Sequence, residues 1–68
     1  MNDFSKNLKK IRKSKKETQK SLAEKVGVAS TYIANIEQGV RSPSLALINK
    51  LAEVLAVKTK KFFEENHD

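Results

Sequence analysis

Gln19-Lys20-Ser21-Leu22-Ala23-Glu24-Lys25-Val26-Gly27-Val28-Ala29-Ser30-Thr31-Tyr32-Ile33-Ala34-Asn35-Ile36 is the stretch whose spacing decides the fold. Counted from Gln19, Ala23 falls at position five, Gly27 at nine and Ile33 at fifteen, with Leu22, Val28 and Ile36 at four, ten and eighteen. Two helices joined by about three or four residues and crossing steeply come closest near the middle of the first, where only a small side chain such as Ala23 fits. Gly27 supplies the positive φ that the turn needs without steric cost. The apolar positions close the wedge between the helices. This is the spacing of a helix-turn-helix, which leaves its second helix standing out to enter a DNA major groove.

Composition agrees with a small helical domain. The 68 residues predict a single unit over 1–68 with a polar tail from about residue 65, near the lower size at which a chain folds without disulfides or metals. At 38% hydrophobic, with two glycines and one proline, an all-α bundle with short connections is favoured over a sandwich. The absence of cysteine removes a disulfide framework, a thiolate zinc site and a thiol nucleophile, and fits a reducing cytoplasm. The start resembles no signal peptide, and the longest apolar runs, such as Leu45 to Ile48, are far too short to span a membrane. Fourteen Lys and Arg against eight Asp and Glu give a charge of +6 and a pI near 9.8, so a polyanion is the expected partner. Through Lys20 the basic residues are Lys6, Lys9, Lys10, Arg12, Lys13, Lys15, Lys16 and Lys20, opposed only by Asp3 and Glu17.

Periodicity predicts five helices. The first runs from about Asp3 to Ser14, capped by Asn2 or Asp3, with Phe4, Leu8 and Ile11 as its apolar stripe. The second starts near Gln19 with Thr18 as cap, although Ser21 and Glu24 also match a Ser-x-x-Glu capping box that starts it a turn later. It ends at Val26 before Gly27, and the third covers roughly Ser30 to Gln38 before Gly39. Pro43 suits the entry to the fourth helix, about Ser44 to Leu55, with Leu45, Ile48, Leu51, Ala52 and Leu55 on one face and Leu47 and Val54 on its less buried flanks. A fifth, from about Thr59 to Glu65, presents Phe62 and Phe63.

Arg12, Gln19, Leu22, Ala23, Gly27, Val28, Ile33, Glu37, Gly39, Pro43, Leu51, Ala52, Leu55 and Val57 together resemble the Cro/cI-type (XRE family) helix-turn-helix regulators, over about Leu8 to Phe63. The run Thr31 to Leu45 looks most like the controller proteins of restriction-modification systems. The resemblance implies a five-helix, lambda-repressor-like DNA-binding domain that acts on double-stranded DNA in the cytoplasm of a bacterium or in a phage-infected cell, associated with the nucleoid. It also implies a partly buried ion pair between Arg12 and Glu37, both of which follow a core isoleucine in the sequence. The chain departs from the family where Ala29 replaces a capping Ser or Thr, so that the third helix either lacks its best cap or starts later with Ser30. Ala56 stands in place of a Gly, Asn or Asp, and Lys58 in place of a Ser or Thr, which leaves Thr59 as the expected cap of the fifth helix.

With Ile33 and Ile36 assigned to the core, the outward positions of the third helix are Ser30, Thr31, Tyr32 and Asn35, the candidates for reading bases. Asn35 can present an amide pair to adenine, and the Thr31 methyl can meet a thymine methyl. Gln19 lies in the first turn of the second helix, where its amide and unpaired backbone N–H groups can grip a phosphate. By resemblance, Arg41 and Ser42 form a second phosphate clamp. Family members commonly brace the glutamine at position 19 with one on the recognition helix, in whose place this chain has Ala29 or Ser30. Lys9, Lys13 and Lys16 offer longer-range attraction or simply a solvated face.

One of Phe62 and Phe63 is expected to close the core. The other, with Leu47 and Val54, forms a candidate patch for a two-fold homodimer, since two copies on adjacent half-sites double the area buried on DNA. An enzyme is not expected: the single histidine, His67, sits in the polar tail, and no glycine-rich phosphate loop or paired carboxylates occur. No cofactor or metal is implied. The rival function is an antitoxin or another protein-interaction module, using the same fold to bind a toxin or RNA polymerase.

Overall fold

In the computed structural model, which describes residues 3–65, α1 runs from Asp3 to Ser14. The Asn2 cap and His67 lie outside the described residues. Phe4 and Leu8 are buried, and α1 carries polar anchors on both flanks of that stripe. On one side the Ser5 hydroxyl donates to the Ile36 carbonyl at 2.6 Å. On the other, Asn7 Nδ2 donates to the carbonyls of Phe62 at 3.0 Å and Glu64 at 2.7 Å. The bonds to Ile36 and Phe62 are buried and satisfy main-chain oxygens that would otherwise be left without water. Lys16, at φ 60, turns the chain out of α1, while the Glu17 N–H returns to the Arg12 carbonyl at 3.1 Å.

α2 (Gln19–Val26) begins at Thr18, not at the Ser21–Glu24 box. Thr18 Oγ1 accepts from the Ser21 N–H and Ser21 Oγ accepts from the Thr18 N–H, both at 2.9 Å, so serine fills the reciprocal place usually held by Glu or Gln. Gly27, at φ 82, ends the helix, and the N–H groups of Gly27 and Val28 both close on the Ala23 carbonyl. A Cβ at Gly27 would meet nothing within 4 Å, so glycine is needed there for its φ and not for space. α3 (Ser30–Glu37) starts at Ser30, with Ala29 in the cap position and no side-chain bond to its first turn.

α4 (Leu45–Leu55) is capped by Ser44, whose Oγ accepts from the Leu47 N–H at 3.1 Å. Its register corrects the expectation from the sequence: Leu47 is 7% exposed and Leu45 is 73% exposed. Leu47, Leu51 and Leu55 repeat every four residues and drift only slowly around the helix. Leu45 stands two residues, about 200°, from Leu47, in the first turn of the helix. Ala56 follows at φ 57, ψ 45, a left-handed conformation that costs an alanine about 1–2 kcal/mol.

The last element, η1 (Thr59–Phe63), is a 3₁₀ helix, two residues shorter than the fifth helix expected, and Lys58, not Thr59, occupies its cap position. Phe62 is fully buried, with its ring centroid 5.1 Å from that of Phe4. Burial removes Leu47 and Phe62 from the dimer candidates, because both face inward. α2 packs on α3 and α4, α1 packs on α3 and η1, and η1 also meets α4. Ala23, at 2% exposed, lies in this interior with Leu22, Ile33 and Ile36.

Replacing Leu47 with Ala is expected to cost about 2–5 kcal/mol of stability through a core cavity. The same change at Leu45 should stay within about 0.5 kcal/mol of zero. Urea melts of the two variants distinguish the observed register from the one expected.

Candidate nucleic-acid interface

The C-terminal end of α3 is locked by charge. Glu37 Oε2 accepts from Arg12 Nε at 2.7 Å and Oε1 from Arg12 Nη2 at 3.0 Å, a two-bond fork that suits the planar guanidinium. The Arg12 and Glu37 side chains are only 8% and 3% exposed. The hydrogen bond to Glu37 raises the Arg12 pKa, against the opposing effect of burial, so the guanidinium keeps its charge. Gln19 Nε2 adds a third bond, to Glu37 Oε1 at 3.1 Å, and Arg12 Nη1 donates to the Glu17 carbonyl at 2.9 Å. Three places meet in this junction: the end of α1, the entry to α2 and the end of α3.

Its consequence for Gln19 is specific. One amide N–H is committed to Glu37, so Gln19 faces the junction as well as the first turn of α2. The N–H groups of Gln19 and Lys20 belong to the helix's first turn and have no intrahelical acceptor.

Away from the junction, α3 is open. Ile33 and Ile36 are fully buried, Ser30 and Thr31 are exposed, and Tyr32 and Asn35 are half-buried. Thr31 and Asn35 lie one turn apart on the side opposite Ile33. Gln38, the exposed C-cap residue just after α3, falls on the same outward row. The reading from sequence did not single it out, although the spacing of four and three from Thr31 through Asn35 carried the signal.

After α3, Gly39 at φ 81 folds the chain back along the helix. The N–H groups of Val40 and Arg41 both reach the Asn35 carbonyl, at 3.0 and 3.3 Å. The Arg41 guanidinium then sits over the Tyr32 ring, 5.1 Å from its centroid. Ser42 is exposed in the same loop, and Lys9, Lys13 and Lys16 are exposed on and just after α1.

Glu17 gathers a smaller cluster at the entry to α2. Its carboxylate pairs with Lys25 and accepts from the Ser21 hydroxyl at 2.6 Å. Lys25 first, then Ser21, hold its carboxyl below the ordinary value of 4.5. Lys25 is therefore partly neutralised.

Of the remaining dimer candidates, Val54 is half-buried against the core, and Phe63 is 56% exposed with its ring 5.4 Å from that of Phe4. Phe63 lines a shallow groove of about 350 Å³ with Asp3, Phe4, Pro43 and Ile48. Among the described residues no group of three or more His, Asp or Glu side chains is placed to hold a metal ion, and no helix is long and apolar enough to cross a membrane.

Residues 8–62 match the helix-turn-helix family HTH_3. The chain is 36% identical over 62 residues to the HTH-type transcriptional regulator SinR of Bacillus subtilis, covering 90% of this chain and 56% of SinR. It is 34% identical over 70 residues to the control protein C.MunI of a Mycoplasma species, covering 96% of this chain and 95% of that protein. The chain thus spans about half the length of SinR and 47% of the regulator YqaE from the same Bacillus. Among solved structures, the restriction-modification controller C.AhdI of Aeromonas hydrophila is similar at a TM-score of 0.85 and 33% identity, over 88% of this chain and 87% of that one. The N-terminal DNA-binding domain of Bacillus subtilis SinR gives 0.84 at 33% identity, over 96% of each chain. This chain has the all-α, lambda-repressor-like fold: four α-helices closed by a 3₁₀ turn.

Glu37→Ala strands the Arg12 cation and is expected to cost about 3–5 kcal/mol, whereas the double change Arg12→Met with Glu37→Leu should cost much less. Urea unfolding measures both. Acid gives a second handle on the network. Because the folded pKa of Glu17 is depressed, its contribution is complete above its unfolded value near 4.5 and disappears as pH falls through the lower folded value. Glu17→Gln should flatten that part of the acid dependence of the melting temperature.

Proposed function

The chain belongs to the HTH_3 helix-turn-helix family of DNA-binding transcriptional regulators, and from that membership we propose that it acts as a homodimer on a palindromic or near-palindromic operator. The observation that carries this reading is the division of α3. Its far end is pinned by Arg12 and Glu37, while Thr31 and Asn35 face outward with no part in the core. An eight-residue helix is about 12 Å long and fits across a major groove about 12 Å wide. Ser30, Thr31 and Asn35 meet base edges, while Gln19, Arg41 and Ser42 meet phosphates and set the register. By occupying the operator the protein blocks or recruits polymerase, and it does so in the cytoplasm, at the nucleoid. The likeness to C.MunI along nearly all of that control protein supports a controller of a restriction-modification system.

The dimer reading rests on dimensions and on exposed apolar surface. The domain measures 30 × 24 × 22 Å, so two abutting copies put their α3 helices a distance apart comparable to the roughly 34 Å between half-sites one helical turn apart. With Leu47 and Phe62 inside, the dimer face moves to the Phe63 groove and to Leu45, which adjoins Ile48 on α4. The same face suits a toxin or polymerase subunit if the protein is instead an antitoxin.

Selection from random duplexes is expected to enrich one motif with two-fold symmetry. An unenriched pool overturns the specific-regulator reading. On the selected site, affinity should fall with salt at a slope of about −0.9 per phosphate neutralised. Asn35→Ala or Thr31→Ala should relax preference at one position at a cost of about 1–3 kcal/mol, and Arg41→Ala should weaken all sites alike. In sedimentation, wild type should run as a dimer and Leu45→Glu as a monomer. A wild-type monomer both with and without DNA removes the dimer.

A further inference from the structure

We propose that Tyr32 is a positioning residue, and that its ring is the platform which holds the Arg41 guanidinium against α3 ready for the DNA backbone. This gives Tyr32 a different task from reading a base, and it gives Arg41 a defined place instead of a free arc. It rests on the DNA-binding reading above for its functional consequence, though not for the contact itself.

The geometry has three parts. Tyr32 is half-buried with its side chain packed against the hydrophobic core, so the ring is not free to swing. Gly39 and the two bonds into the Asn35 carbonyl place the Arg41 backbone next to α3. Tyr32 precedes Asn35 by three residues, which puts it about 4.5 Å back along the helix axis on an adjoining face. From there the exposed Arg41 side chain covers the ring at 5.1 Å.

The chemistry favours this use of both residues. The ring quadrupole attracts the guanidinium without consuming its N–H donors. Arg41 therefore keeps the donors for a phosphate while its long side chain is already ordered, and less rotamer freedom is lost when DNA arrives. A tyrosine engaged in this way acts through Arg41, so its loss is felt at every site and not at one base pair.

Tyr32→Phe and Tyr32→Leu, each with and without Arg41→Ala, test the proposal on the selected duplex and on variants of it, with melting curves confirming that each protein is folded. Tyr32→Phe is expected to bind like wild type. Tyr32→Leu should lose about two- to fivefold on every sequence, the range for an exposed cation–π contact. In the Arg41→Ala background the Tyr32→Leu loss should vanish. In the DNA-free protein, the Arg41 side-chain protons should show an upfield ring-current shift in NMR in wild type and Tyr32→Phe, absent in Tyr32→Leu.

A Tyr32→Phe loss as large as that of Tyr32→Leu assigns the work to the hydroxyl and overturns the platform. So does a change of preference confined to one base pair, or a Tyr32→Leu loss that adds fully to that of Arg41→Ala. If Tyr32→Leu does not fold, the wild-type ring-current shift and the Tyr32→Phe affinity still decide, and an unshifted Arg41 in wild type overturns it. The NMR arm needs no DNA. A protein that selects no operator yet shows the shift fails the function and keeps the contact.

Discussion

The bidentate pair between Arg12 and Glu37 is the constraint on which the rest of this small domain depends. The core contacts around Leu22 and Ile36 are non-directional, so they hold the helices together without prescribing bond angles between them. A forked ion pair is directional, since its two bonds demand a common plane. By joining the end of α1 to the end of α3, with Gln19 added from the entry to α2, the junction sets how α3 leaves the body of the protein. Its net contribution to stability is modest once desolvation is counted, and its effect lies in geometry. Ser5, donating to the Ile36 carbonyl one residue before Glu37, reinforces the same seam.

Polar groups elsewhere follow the same economy. Thr18 and Ser21 cap each other, Ser21 also donates to Glu17, and Glu17 in turn holds Lys25. The entry to α2 is thereby rigid before any ligand arrives. The open edge of α3 contrasts with this: Ser30 and Thr31 are exposed, and Ala29 gives the first turn no side-chain cap. The least self-satisfied part of the fold is this edge of α3.

Much of this was legible from residue spacing. Ala23, Gly27, Ile33 and Ile36 define the two crossing helices because each position has a steric reason that survives any detail of packing. The pairing of Arg12 with Glu37, each beside an apolar stripe, follows from the resemblance to the helix-turn-helix regulators and not from spacing alone. Other features were not legible, for physical reasons. Leu45 and Leu47 are the same residue type near one helix end, and both stripes through α4 contain Leu51 and Leu55, so periodicity could not choose between them. The Thr18 cap of α2 is legible, but the reciprocal bond with Ser21 is not, because serine at that place is a weaker pattern than glutamate. The left-handed turn at Lys16 uses a residue with no preference for it. The stack of Arg41 on Tyr32 joins residues nine apart through a loop whose path depends on Gly39, and a sequence pattern does not carry that path.

Asn7 has an effect that reaches past the domain. By gripping the carbonyls of Phe62 and Glu64, it stitches the trailing end of the fold to the flank of α1 that faces away from Ser5, Arg12 and therefore α3. Polypeptide continuing beyond Glu65, whether native or fused by design, departs from a fixed anchor on the rear of the molecule. The fold is in this sense a plug with its cable on the back: cargo can be appended without crowding the edge of α3, and a pull on that cargo is borne by α1 before it reaches α3.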